Sequence, residues 1–193
     1  MESVGFKEWA IVCDAIRRGE QSIILRKGGI AEGREGFTFR HTEFFLFPTQ
    51  YHEQLEKTRG AERDVPRARA GEIEIGVFAK VEFAGVITSW EMATALEPFH
   101  IWQREVVRQR FDYDKAPGIH FAFLRAHELS HPWTIPELPA YGGCRSWVNL
   151  PKLPNDISFA PVLSDAAHAT RAEEVKRIVA QDVASTSPRE TCY

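Results

Sequence analysis

The sequence predicts an α+β fold: a single compact domain over residues 1–183, with a mixed or mainly antiparallel sheet flanked by about four helices. Three observations predict it. Five or more segments have the β-branched, aromatic or alternating character of strands. Other segments place apolar residues at helical spacing. The two kinds do not alternate regularly, which points away from a doubly wound sheet.

Phe6, Trp9, Ala10, Cys13 and Ile16 follow helical spacing, with Arg17 and Arg18 before a capping Gly19, so a helix is expected over residues 6–18. Ile23, Ile24 and Leu25 make a strand over 22–26, followed by a glycine-rich turn and a strand pair over 37–41 and 44–47. Pro48 and Thr49 end that pair, and Thr49 can cap a helix over 50–58. Residues 59–71 are polar, broken by Pro66, and read as a loop. A long strand follows over 72–87, with Gly76 marking a bulge. Ser89 caps a helix over 90–96, and Pro98 separates it from another over 100–110. Residues 118–129 read as a strand leading into an irregular proline-rich passage. Thr170 and Glu173 form a capping box for the last helix, and residues 184–193 read as a disordered tail.

The composition, 44% hydrophobic and 26% charged, suits a globular protein and argues against general disorder. A net charge of −3 argues against a protein that coats nucleic acid by charge alone. The charge is uneven, however: +1 over residues 1–70, −4 over 71–99, +2 over 100–152 and −2 beyond. A mildly basic face can therefore be assembled from the first and third segments. Cys13, Cys144 and Cys192 are odd in number and widely spaced, which fits neither a disulfide framework nor a zinc ribbon. With no secretory signal and no membrane-length apolar run, the expected location is the cytoplasm, with no membrane partner.

Four places carry chemistry. In "LRKGGI", Arg26 and Lys27 precede Gly28 and Gly29, whose missing Cβ atoms let backbone N–H groups approach an anion. A hairpin turn with solvated charges accounts for the same residues, and the P-loop order is absent. In "HTEFFLFPTQYH", His41 and Glu43 would share a strand face, with His52 folding back toward them. That set can move protons or bind a divalent ion, although a polar sheet surface is the plainer reading and no metal is assigned. His100, Arg104 and Arg108 fall at i, i+4, i+8, a cationic stripe that is either a solvated helix face or a groove for phosphates. Finally, Trp133, Tyr141 and Trp147 lie among prolines with Arg145 and Asn149. They either stack on bases or pin a loop to the core.

The stretches "KEWAIVCDAIRRGEQSIILRKGGI", "HTEFFLFPTQYHEQ" and "HELSHPWTIPELPAYGGCRSWVNLP" resemble the bacterial and archaeal family of domain of unknown function 1802, over about residues 6–152. That family has no assigned activity, so the resemblance implies no catalytic residues. Some members lie beside Mrr-like restriction nuclease domains, which implies a context of DNA restriction and a protein partner there. At 193 residues, no second domain of that kind is expected within this sequence. It also lacks the strand Glu-x-Lys signature, since Glu74 has no lysine two residues on.

The function expected from the sequence is thus an accessory domain that binds nucleic acid or a phosphate-like anion, without a cofactor. Arg26, Lys27, Gly28, Gly29, Arg104 and Arg108 would contact phosphate, with Trp147 or Tyr141 stacking. The alternatives are a metal-assisted hydrolase using His41, Glu43 and His52, and a protein–protein adaptor using the Pro/Trp-rich segment.

Overall fold

The structure is a computed structural model of the 193-residue chain, describing residues 3–27, 39–50, 54–60, 68–113, 117–143 and 145–185. Its elements are β1 (Val4–Trp9), α1 (Ala10–Arg17), β2 (Ile23–Arg26), β3 (Glu43–Thr49), β4 (Glu72–Ile87), α2 (Trp90–Ala95), α3 (Arg104–Phe111), β5 (Ile119–Pro136), β6 (Trp147–Asn149), β7 (Phe159–Pro161) and α4 (Asp165–Ser185). The strands form one mixed sheet in the order β2-β5-β4-β3-β1-β6, with β7 paired to β5. β1 and β3 are parallel, and the other pairings are antiparallel. The α+β class expected from the sequence is therefore the one observed. No helix among the described residues is long and apolar enough to cross a membrane.

Strand alternation sorts the apolar residues into two cores. Phe44 and Leu46 join Phe6, Ile11, Ile23 and Trp102 in the larger core under the helices. Phe45 and Phe47 face the other way and join Ile75, Phe78 and Trp133. Burying each such phenylalanine contributes about 1.5–3 kcal/mol. The bulge expected at Gly76 is present as a register shift between Ile75 and Val77. It changes the parity of β4, so that Ile75 and Phe78, three apart, share one core.

Several expected boundaries are corrected. Residues 6–9 are strand rather than helix, because β1 pairs in parallel with β3 from Gly5↔Phe45 to Trp9↔Thr49. The helix begins only at Ala10, where Gln54 Oε1, 3.0 Å away, accepts from the Ile11 N–H. Pro48 does not end β3: its ring occupies a register position opposite Glu8 on the parallel partner. Residues 39–41 are not strand. Of the helix expected over 50–58, residues 54–57 form a turn, and Thr58 bridges to Trp102. α3 starts at Arg104, so His100 precedes the helix. β5 continues to Pro136 across a bulge that takes up Pro132. α4 starts at Asp165, where Ser164 Oγ accepts from the Ala167 N–H at 3.3 Å. The Thr170 hydroxyl donates back to the Ala166 carbonyl at 3.0 Å and caps nothing. Gly28, Gly29, His52, Cys144, and residues 37–38, 61–67 and 186–193 lie outside the described residues.

Candidate nucleic-acid interface

Alternation along β1 sends Phe6 and Glu8 to one side of the sheet and Lys7 to the other. Glu8 is only 1% exposed, and its Oε1 accepts from the Trp9 N–H at 2.9 Å. Arg26, the last residue of β2, brings its Nη2 to 3.6 Å from Glu8 Oε2 and donates to the Lys7 carbonyl. Its Cζ lies 4.9 Å from the centroid of the Phe6 ring. Its Nε is buried without a hydrogen-bond partner among the described residues.

A second guanidinium lies nearby, over the Trp102 ring. Arg110, in the last turn of α3, places its Cζ 3.8 Å from the Trp102 ring centroid and 5.7 Å from that of Trp9. Its Nη1 donates to the Leu25 carbonyl at 3.4 Å. Burial lowers its pKa to about 10, Glu8 opposing and Arg26 adding to the fall. It therefore stays charged at neutral pH. Glu8 pairs with Arg26, while its charge reaches Arg110 only through space.

The aromatic side of the site is built by β6. Trp147 stands opposite Phe6 in the β1–β6 register, and their rings meet edge to face at 4.8 Å. Phe39 and Phe44 also pack on Phe6, and the His41 ring lies 4.9 Å from Trp147. Arg26 and Trp147, far apart in sequence, therefore rest on one buried ring. Arg26 keeps 22% of its side chain exposed, and both Trp147 and His41 are half-buried, so the group opens to the surface.

The other expected residues are placed as follows. Lys27 Nζ donates to the Gly118 carbonyl at 2.9 Å and to the Phe111 carbonyl at 3.4 Å, tying β2 to the end of α3. Arg104 pairs with Glu97 at 3.0 Å, while Arg108 pairs with Asp112 and lies over the Trp90 ring. Both are half-exposed and separate from the Arg26–Trp147 group. Tyr141 is elsewhere, 5.3 Å from Phe47 in a cleft between β3 and β4. The shared face expected for His41 and Glu43 required His41 on the strand, but β3 begins at Glu43, which pairs with Lys80 at 2.8 Å. No three His, Cys, Asp or Glu side chains among the described residues are grouped to hold a metal.

His100 is buried rather than part of a cationic stripe: its Nδ1 accepts from the Trp102 N–H at 3.1 Å. Burial, aided by Arg59 and Arg110, lowers its pKa to about 3. Cys13 is buried and free, with its thiol pKa pushed up by burial and by Glu8, which makes it unreactive. Sequence reasoning missed Glu8, Arg110 and Trp9. The one available signal was "FKEW", whose alternation places an acid on the apolar side if the segment is read as strand.

The structure thus defines an α+β domain with a buried carboxylate–guanidinium cluster opening onto aromatic rings. The chain belongs to the family described as domain of unknown function (DUF1802), which matches residues 5–174. Comparison with curated proteins returned no significant match. Among solved structures the chain is similar to ASCH from Zymomonas mobilis, at 12% identity and a TM-score of 0.45, covering 93% of this chain and 94% of that one. The Y47F mutant of that protein aligns at 14% identity and a TM-score of 0.47, covering 79% of this chain and 92% of that one. At this level of likeness no site or activity passes from those proteins to this chain.

Proposed function

We propose that this domain binds single-stranded nucleic acid as an accessory module, with Arg26 contacting phosphate and Trp147 with His41 giving a stacking surface. The observation that supports it is the placement of Arg26, partly exposed and resting on the same Phe6 ring as Trp147. A phosphate reaching the exposed part of Arg26 would meet a partly desolvated guanidinium, where charge-assisted contacts are strong. Arg26 is held in place by the Lys7 carbonyl and the Phe6 ring, so little side-chain entropy is lost on binding. An unpaired base can then lie on the neighbouring indole or imidazole, which a base inside a duplex cannot do. The restriction context implied by the family gives such a module a setting.

The test is a fluorescence-anisotropy titration with single-stranded DNA, single-stranded RNA and duplex DNA at two salt concentrations. Single strands should bind more tightly than duplex. With about three phosphate contacts, affinity should fall roughly twenty-fold between ~50 and ~200 mM salt. Arg26→Gln keeps a donor for the Lys7 carbonyl but removes the charge, and should weaken binding on the order of tenfold. Absence of binding to all three at low salt retires the reading.

A further inference from the structure

The cleft that holds Tyr141 has a separate origin, in the parting of two strands. β3 and β4 pair only from Glu43↔Lys80 to Phe45↔Phe78. Beyond that point β3 stays with β1 as far as Thr49, while β4 stays with β5 back to Glu72. Residues 46–49 and 72–77 therefore face each other across a gap, each with one strand edge unpaired among the described residues. The Gly76 bulge and the parity change it makes accompany this divergence. The gap is a cleft of about 1320 Å³, lined by both edges, by the Cys13–Asp14–Arg17 side of α1 and by Tyr141. That volume exceeds the ~300–1,000 Å³ usual for small-molecule sites.

Its charge is specific. Lys7, Arg17 and Arg69 line it against Asp14, Glu72, Glu74, Glu128 and Glu137. Asp14 and Glu128 are taken up by Arg17, at 2.8 and 3.1 Å. The carboxylates of Glu72, Glu74 and Glu137 make no ion pair or side-chain hydrogen bond among the described residues. Lys7 and Arg69 leave these three carboxylates in excess by one, and a net negative cleft favours a basic chain over a phosphate backbone. The Phe47–Tyr141 pair adds a ring face on which a cation can rest.

We propose that an extended, basic peptide segment of a partner protein docks in this cleft, adding a strand to the open edges of β3 and β4. Main-chain hydrogen bonds to those edges would supply affinity, and alternate Lys or Arg side chains would meet Glu72, Glu74 and Glu137. This site is distinct from the Arg26–Trp147 group, since Lys7 turns toward the cleft and Glu8 toward the guanidiniums.

The probe is a fluorescein-labelled decapeptide of alternating lysine and valine, compared with an alternating glutamate–valine decapeptide and a ten-nucleotide oligothymidine as competitors. The basic peptide should bind, and neither competitor should displace it. Glu74→Lys with Glu137→Lys should weaken it tenfold or more while leaving the melting temperature unchanged, because both side chains are exposed. Arg26→Gln should leave peptide binding unaltered, so that failure here and failure of the nucleic-acid reading are told apart. Amide exchange should slow at residues 46, 47 and 49 and at 72–77 when peptide is added. No binding of the basic peptide overturns the proposal. So does equal competition by either rival, unchanged affinity in the double variant, or binding without protection at those amides.

Discussion

The Arg110 guanidinium carbon lies 3.8 Å from the centroid of the Trp102 ring, and that ring is fully buried. The cation is held by the indole face and the Leu25 carbonyl, and the charge of Glu8 favours it through space. The two sides of this cluster are unequal, which gives a ranked prediction. Glu8→Gln removes the buried carboxylate that pairs with Arg26 and favours the charge of Arg110, and should cost about 3–5 kcal/mol. Arg110→Met leaves Glu8 with Arg26 and keeps an apolar stem against Trp102, so it should cost about 1–2 kcal/mol. Urea denaturation of the two variants checks the order. Equal losses would mean that the cluster does not act through charge balance.

His100 gives a pH dependence whose sign is fixed by geometry. Its Nδ1 accepts a hydrogen bond, so the folded protein keeps the ring neutral, with a pKa lowered from 6.5 to about 3. The unfolded chain takes up a proton below 6.5 and the folded chain does not. Stability is therefore fully present above pH 6.5 and falls as pH drops toward 3, by about 1.4 kcal/mol per unit from this group. His127, whose pKa is also lowered, by burial first and then by Arg125, acts in the same direction. His100→Asn retains an acceptor without titrating. Its stability between pH 6 and about 4 should slope less than that of the parent, by about one proton. Parallel slopes would contradict the assignment.

Gly19 ends α1 at φ +71°, in the region that glycine tolerates and other residues avoid. Its N–H donates to the Ile16 carbonyl at 3.0 Å, and a Cβ added there would sit 2.8 Å from Leu163 Cδ2. Gly19→Ala should cost about 1–2 kcal/mol from backbone strain, and more if Leu163 cannot shift. A thermal melt reads the loss directly. Gly71, also at positive φ but with open space around its Cβ position, should lose only the strain component in the same experiment.

What the sequence revealed and what it hid follow from the range of the interactions. β4 was legible from end to end, with its Gly76 bulge, because alternation and a glycine are local signals. So was α2, whose Ser89 hydroxyl accepts from the Met92 N–H. β1 was not, because Phe6, Trp9, Cys13 and Ile16 keep helical spacing across a strand–helix junction. The deciding factor, parallel pairing with β3, lies some forty residues away. The start of α4 was misplaced because Thr170 and Glu173 imitate a cap, while Ser164 provides one. At the site, Arg26 and Trp147 were visible as a basic turn and an aromatic. Their meeting over Phe6 depends on the β1–β6 register, which no local pattern encodes. Glu8 and Arg110 were hidden because isolated charged residues read as surface until a partner buries them.

The last prediction concerns α3. Arg104 and Arg108 are paired with Glu97 and Asp112, at side-chain exposures of 55% and 50%. Exposed ion pairs of this kind are worth little, so either arginine can exchange its carboxylate for a phosphate at small cost. If a bound strand extends from the Arg26–Trp147 group along α3, the Arg104→Ala, Arg108→Ala double variant should lose both contacts. Affinity for single-stranded DNA should then fall a few-fold at low salt. The slope of log affinity against log salt should become shallower by about 1.4, the release of counterions from two phosphates. Stability should change little, since neither side chain enters the core, although Arg108 gives up its contact with the Trp90 ring. An unchanged salt slope would confine binding to the Arg26 end. α3 would then contribute only Arg110, acting from within the fold on the charge of Glu8.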